Sequence, residues 1–197
     1  MSFGKMIGGL LIAGLVLMLL VGGCLYRGYN TAVGMDEAVQ GAWAQVENQL
    51  QRRYELIPNL VETVKGFAAQ EQEVFLGVAK SREAYVGART VAEKAQAASG
   101  LESALSRLLV IRETYPELKS NESFLKLQDS LEGTENRLAV ERQRYNEAVR
   151  ALNTFVRGLV GRIYAGLANV ERAEYFEVAD AAKTAPKVDF SKEPAGG

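Results

Sequence analysis

Three observations predict an all-α fold in which an N-terminal transmembrane helix is followed by an antiparallel bundle of long helices, of the four-helix-bundle type. The run from Ile7 to Tyr26, IGGLLIAGLVLMLLVGGCLY, carries no charge, whereas the rest of the 197-residue chain is rich in charge. Beyond it, apolar residues return at steps of three and four, the period of a helix buried on one side. Only four prolines punctuate the chain, at Pro58, Pro116, Pro186 and Pro194.

The apolar run comes first. A helix of about twenty residues rises about 30 Å, enough to cross the hydrocarbon core of a bilayer. Val21, Gly22, Gly23 and Cys24 also form a loose lipobox, so Cys24 is a candidate lipidation site in a cleaved leader. The retained span is the favoured reading, because Lys5 alone makes a thin basic flank and Gly22 is a poor lipobox residue. Residues 1–28 are an anchor by either route. A single-pass membrane protein is expected, and the early acidic residues Asp36 and Glu37 favour an extracytoplasmic bulk. One cysteine inside the anchor provides neither a disulfide framework nor a metal cluster.

The helices follow in order within a bundle spanning residues 29–178. The first carries Val39, Trp43, Val46, Leu50 and Ile57 on one stripe, interrupted where Arg53 would complete the heptad. A bend or break is predicted between Leu56 and Leu60, because Pro58 donates no backbone hydrogen bond and its ring clashes with a straight helix. The stripe resumes as Leu60, Val64, Phe75, Val78 and Tyr85. A third segment aligns Ala97, Leu101, Ala104, Leu108, Ile111 and Tyr115, and stops at Tyr115-Pro116. The fourth starts near Ser120 or Asn121, either of which can cap free amides. Its seam is the most regular: Phe124, Leu127, Leu131, Thr134, Leu138, Glu141, Tyr145, Ala148, Leu152 and Phe155. Leu159 to Leu167 reads as a terminal amphipathic helix covering the end of the bundle, with an interfacial membrane helix as the alternative. Residues 179–197 shift to Ala, Lys, Pro and Gly and read as a disordered tail.

Composition restricts the chemistry. The chain has no histidine, which removes Ser-His-Asp triads, Cys-His pairs and the usual zinc and di-iron ligand sets. Phosphate-cradling glycine loops are absent, and no cofactor is expected. A formal charge of −1 with interleaved signs gives no footprint for nucleic acid.

Several stretches carry a family resemblance. Asp36-Glu37-Ala38, WAQVENQLQRRYELIPNLVE from Trp43 to Glu62, Thr63-Val64-Lys65-Gly66, Tyr115-Pro116-Glu117-Leu118-Lys119, FLKLQDSLEGTENRLAVER and Tyr145-Asn146 together resemble the LemA family of bacterial membrane proteins. The likeness covers about residues 29–178. It implies a short exposed N-terminus, one membrane helix and long antiparallel helices, with some members carrying a lipoprotein leader instead. It implies no reaction. The chain departs from the pattern at Leu152 to Gly158, which lacks a second Tyr-Asn pair and a proline.

Two polar sets border the apolar seams: Asn48, Gln49, Arg52, Arg53 and Asn59 on the first helix, and Thr134, Glu135, Asn136, Arg137 and Glu141 on the fourth. Pairing them as a hydrogen-bond network would fix helix register, since an unpaired polar group in a core costs roughly 1–3 kcal/mol. A partner-docking groove is the functional alternative. Either way, Arg52 or Arg53 is expected within reach of Glu135 or Glu141. These carboxylates are not helical neighbours at three or four residues, so they form no evident acid-base pair. The expected function is a non-catalytic membrane scaffold or adaptor that recruits other envelope proteins or copies of itself as a homo-oligomer. A ligand-sensing bundle signalling through a separate partner is the alternative, and an enzyme working through carboxylates and arginines alone is a third class.

Overall fold

The protein is described by a computed structural model covering residues 3–177, so the tail expected to be disordered lies outside the described residues. The fold is all-α. Helix α1 runs Phe3–Lys65, α2 Gln72–Gly87, α3 Val91–Thr114, α4 Pro116–Lys119, α5 Glu122–Arg157 and α6 Leu159–Ala168. Among the described residues the chain divides into two compact units, one formed by residues 3–59 and 126–175, the other by residues 60–125 with 176 and 177.

In the first unit, α1 changes environment without changing conformation. From Gly9 to Arg27 every side chain is exposed. This part of α1 is long and apolar enough to cross a membrane. Beginning at Gly28 and Ala32, a buried stripe appears: Val39, Val46, Leu50, Arg53, Tyr54 and Ile57. It faces the seam of α5, where Leu131, Thr134, Leu138, Tyr145, Val149, Leu152 and Asn153 are buried. Arg53 meets Glu135, and ten residues back along α1 Trp43 meets Tyr145, ten residues forward along α5. Contacts that step in opposite directions by equal amounts define an antiparallel pair, held in register over three turns of seam.

The expected break at Pro58 is absent, because α1 passes through this proline and continues to Lys65. An interior proline forfeits one ladder bond. Burial of Ile57 and Leu60 on either side offsets that loss, both being almost inaccessible to water. The break comes instead at Gly66. There the ladder tightens, Phe67 N–H donating to the Val64 carbonyl at 3.0 Å, and six residues pass before α2 begins at Gln72.

In the second unit, α2 and α3 form a hairpin joined through Ala88 to Thr90. Thr90 starts α3 with a capping box: its Oγ1 accepts from Glu93 N–H at 3.1 Å, and the Glu93 carboxylate accepts from Thr90 N–H at 3.0 Å. The Arg89 N–H, donating at 2.6 Å, and then the Thr90 N–H hold the exposed Glu93 carboxyl below its usual range. The buried face of α3 is narrow and small, with Ala95, Ala97, Ala98, Leu101, Ala104, Leu105, Leu108 and Ile111. Pro116 does not simply stop the chain; it opens the single turn α4 as its first helical residue, a position where a missing N–H costs nothing. Asn121 then caps α5, its Oδ1 accepting from Phe124 N–H at 3.0 Å.

Candidate functional site

Arg53 occupies the stripe position where periodicity calls for an aliphatic residue, and its side chain is 7% exposed. Its guanidinium donates from Nη1 to the Glu135 carboxylate, whose side chain is 32% exposed. The pair is therefore shielded at the arginine and open to water at the glutamate. Thr134 is buried beside it, but its hydroxyl donates back to the Leu131 carbonyl of its own helix at 2.8 Å. Gln49 stands one turn before Arg53, half-buried, and its Oε1 accepts no hydrogen bond among the described residues.

The remaining members of the two polar sets are not gathered here. Asn48, Arg52 and Asn59 are exposed on α1, and Asn136 and Arg137 are exposed on α5. Glu141, half-buried, accepts from Arg144 on its own helix at 2.8 Å. Of the two arginines and two glutamates expected to pair, Arg53 and Glu135 are the ones that meet. Arg52 lies one residue, about 100° of helix, off the buried stripe.

Two further polar residues complete the seam. After α6 ends at Asn169, in the left-handed conformation, the chain returns to α5 as a segment without regular secondary structure. Asn153 grips it with both ends of its amide, donating to the Ala173 carbonyl at 2.9 Å and accepting from Ala173 N–H at 3.0 Å. Tyr145 donates its hydroxyl to the Glu174 carbonyl at 2.7 Å. Burial pushes the Tyr145 phenol up to about 12, and the nearby Glu174 charge adds to the effect. Neither residue was singled out as a site from the sequence. The available signal was Asn153 itself, a polar residue between Leu152 and Phe155 at the apolar end of the seam.

Chemically, this arrangement joins three segments. The ion pair couples α1 to α5, while Tyr145 and Asn153 couple α5 to the returning chain. It sets position and register, and no group of three or more carboxylate or cysteine side chains positioned to hold a metal occurs among the described residues.

Comparison with known proteins agrees with this frame. The LemA family model matches residues 42–190. Among curated proteins, the magnetosome proteins MamQ 1 and MamQ 2 of Paramagnetospirillum magneticum are each 28% identical over 182 residues, covering 79% of this chain and 67% of theirs. The magnetosome protein MamQ of Magnetospirillum gryphiswaldense is similar to the same extent. With the exposed apolar start of α1, these likenesses describe a membrane-associated protein. The chain belongs to the LemA family.

Proposed function

We propose that this protein is a non-catalytic scaffold of the bacterial envelope, anchored by one membrane-spanning segment, whose helical surface recruits other envelope proteins or further copies of itself. The carrying observation is the continuity of α1, in which the exposed apolar stretch and the buried stripe belong to one 63-residue helix about 95 Å long. No loop intervenes at which anchor and body would move separately, so a partner held on the body keeps a defined height above the bilayer. Arg53, Tyr145 and Asn153 in the first unit are engaged in register and strap contacts, which suits a rigid presenter of surface. A chain without histidine is poorly equipped for acid-base catalysis near neutral pH.

The test is crosslinking in intact membranes followed by capture of the tagged full-length chain. A reproducible set of proteins, or higher multiples of this chain, is expected with the full chain and is lost when only the first 28 residues carry the tag. Equal recovery with the anchor alone refutes the scaffold. A label introduced on the body of the chain and reached by a membrane-impermeant reagent in whole cells reports an extracytoplasmic body; protection until lysis reports the opposite orientation.

A further inference from the structure

Helix α6 is apolar on two opposite faces. At about 100° per residue, Gly161, Tyr164, Ala165 and Ala168 fall on one arc, and Leu159, Val160, Ile163 and Leu167 fall on the other. The first arc packs, with Gly161 and Ala165 buried and Tyr164 and Ala168 half-buried. The second is bare: Leu159 is 88% exposed, and Ile163 and Leu167 are 60% exposed each. A helix with this much apolar surface, broken by the single charge of Arg162, belongs against protein or in lipid.

The docking position of α6 says which. The Tyr164 ring lies over Gly28 so closely that a Cβ there would overlap it. Gly28 is buried while Tyr26, Arg27 and Tyr29 around it are exposed. It stands two residues beyond Tyr26, the end of the uncharged run, or about 3 Å along the helix axis. Through Tyr164, α6 thus meets α1 at the level where the apolar surface of α1 ends, and its bare face is left exposed there. Tyrosines at this level suit a membrane-water boundary. The charges agree: Arg27, Arg157 and Arg162 are exposed around this junction. No acidic residue occurs from Ile7 to Met35 or from Arg150 to Val170.

Building on the membrane-anchored reading above, we propose that α6 is an interfacial membrane helix. It lies among the lipid headgroups beside the α1 span, with Leu159, Val160, Ile163 and Leu167 entering the acyl boundary and the three arginines facing anionic headgroups. The protein then grips the bilayer twice, by a helix across it and a helix along it, and the second contact sets the angle at which the body stands. Such a helix sinks its apolar face about 5–10 Å below the headgroups.

The experiment uses the full-length chain in nanodiscs containing anionic lipid, with Cys24→Ser and one bimane-labelled cysteine at a time. Ile163→Cys probes α6, Leu17→Cys the span, and Val140→Cys the exposed surface of α5. Lipid carrying a nitroxide near the headgroup should quench most of the Ile163 label's fluorescence, while aqueous iodide should have little effect. The Leu17 label should respond to nitroxide at mid-chain, and the Val140 label to iodide alone. Iodide access at Ile163 with Leu17 still lipid-quenched overturns the interfacial helix and leaves the span intact. Protection of Ile163 from both quenchers overturns it in favour of a protein contact. Iodide access at both Ile163 and Leu17 overturns the span and the interfacial helix together.

Discussion

The Trp43 indole packs against the Tyr145 ring with centroids 5.2 Å apart and planes tilted by 58°. Behind the ring, the Tyr145 hydroxyl reaches the Glu174 carbonyl, so a single side chain links α1, α5 and the returning C-terminal segment. Tilted aromatic pairs of this kind contribute about 0.5–1.5 kcal/mol beyond area burial.

Tyr145→Phe should keep the ring contact and lose the hydroxyl bond. A cost of about 1 kcal/mol is expected, with faster hydrogen exchange at Ala173 and Glu174 but unchanged helicity. Unaltered exchange in the returning segment would show that Asn153 alone holds it.

The phenol also sets an alkaline limit. Its folded value is raised to about 12 from an ordinary 10.0. The fold therefore favours the protonated form, and the associated stability is complete below pH 10.0 and is lost as pH rises through about 12. In wild type, Tyr145 should ionise later than an ordinary phenol during an ultraviolet titration, and denaturant midpoints should fall across that window. In Tyr145→Phe the corresponding part of the fall should vanish; an identical decline in both proteins refutes the assignment.

Much of this unit was legible in the sequence, for identifiable reasons. The seam through Phe124, Leu131, Leu138, Tyr145 and Leu152 follows a period that packing alone enforces. Arg53 announced itself by interrupting a stripe, and a charge in such a place needs a partner across the interface. Pro58 does not end the helix, because local propensity is a weak prior beside the burial of Ile57 and Leu60. Glu141 met Arg144 on its own helix, a choice between near-equal neighbours that spacing does not decide. The clamp at Asn153 was hidden because its partner is the backbone of Ala173, and backbone groups leave no mark in a sequence.

Pro58→Ala should stabilise the protein. The change restores a ladder donor and removes a ring from the helix interior, worth up to about 3 kcal/mol. The greater freedom of the unfolded chain returns about 0.4–1 of that. A higher Tm with unchanged helical circular dichroism is expected; a lower Tm would mean that the proline ring contributes packing that alanine cannot replace.

Gly161→Ala should disrupt the α5–α6 turn. A Cβ on Gly161 would collide with the carbonyl oxygen of Phe155, a backbone atom with little freedom to move. A cost of roughly 1–3 kcal/mol is expected from the overpacked contact. Gly166→Ala, where added atoms meet open space, is the matched control and should be neutral or slightly stabilising. Equal Tm values for the two variants would refute the tight turn.

Cys24→Ala should leave the protein membrane-bound and unchanged in mass. Cys24 is exposed on α1 within a stretch already long enough to span, so neither acylation nor cleavage is needed for anchoring. Mass spectrometry of the wild-type chain decides: a mature protein beginning at an acylated Cys24 would replace the span by a lipid anchor and remove the upstream helix.

The Arg53–Glu135 pair separates a structural role from a docking role. Because Arg53 is shielded and Glu135 is partly open, its coupling should fall between that of exposed pairs, under about 1 kcal/mol, and that of fully buried ones, about 3–5 kcal/mol. Glu135→Gln should therefore cost roughly 1–3 kcal/mol, because a neutral amide replaces the carboxylate that faces the Arg53 guanidinium in the seam. Arg53→Met, a length-matched apolar replacement, should cost less, because the position already lies on the buried stripe between Leu50 and Ile57. In the double-mutant cycle the combined variant should be more stable than the sum of the single losses allows. If the pair serves register alone, each variant lowers Tm while crosslinked membrane partners are still recovered. Recovery lost at an unchanged Tm would instead assign Glu135 to a partner-docking surface.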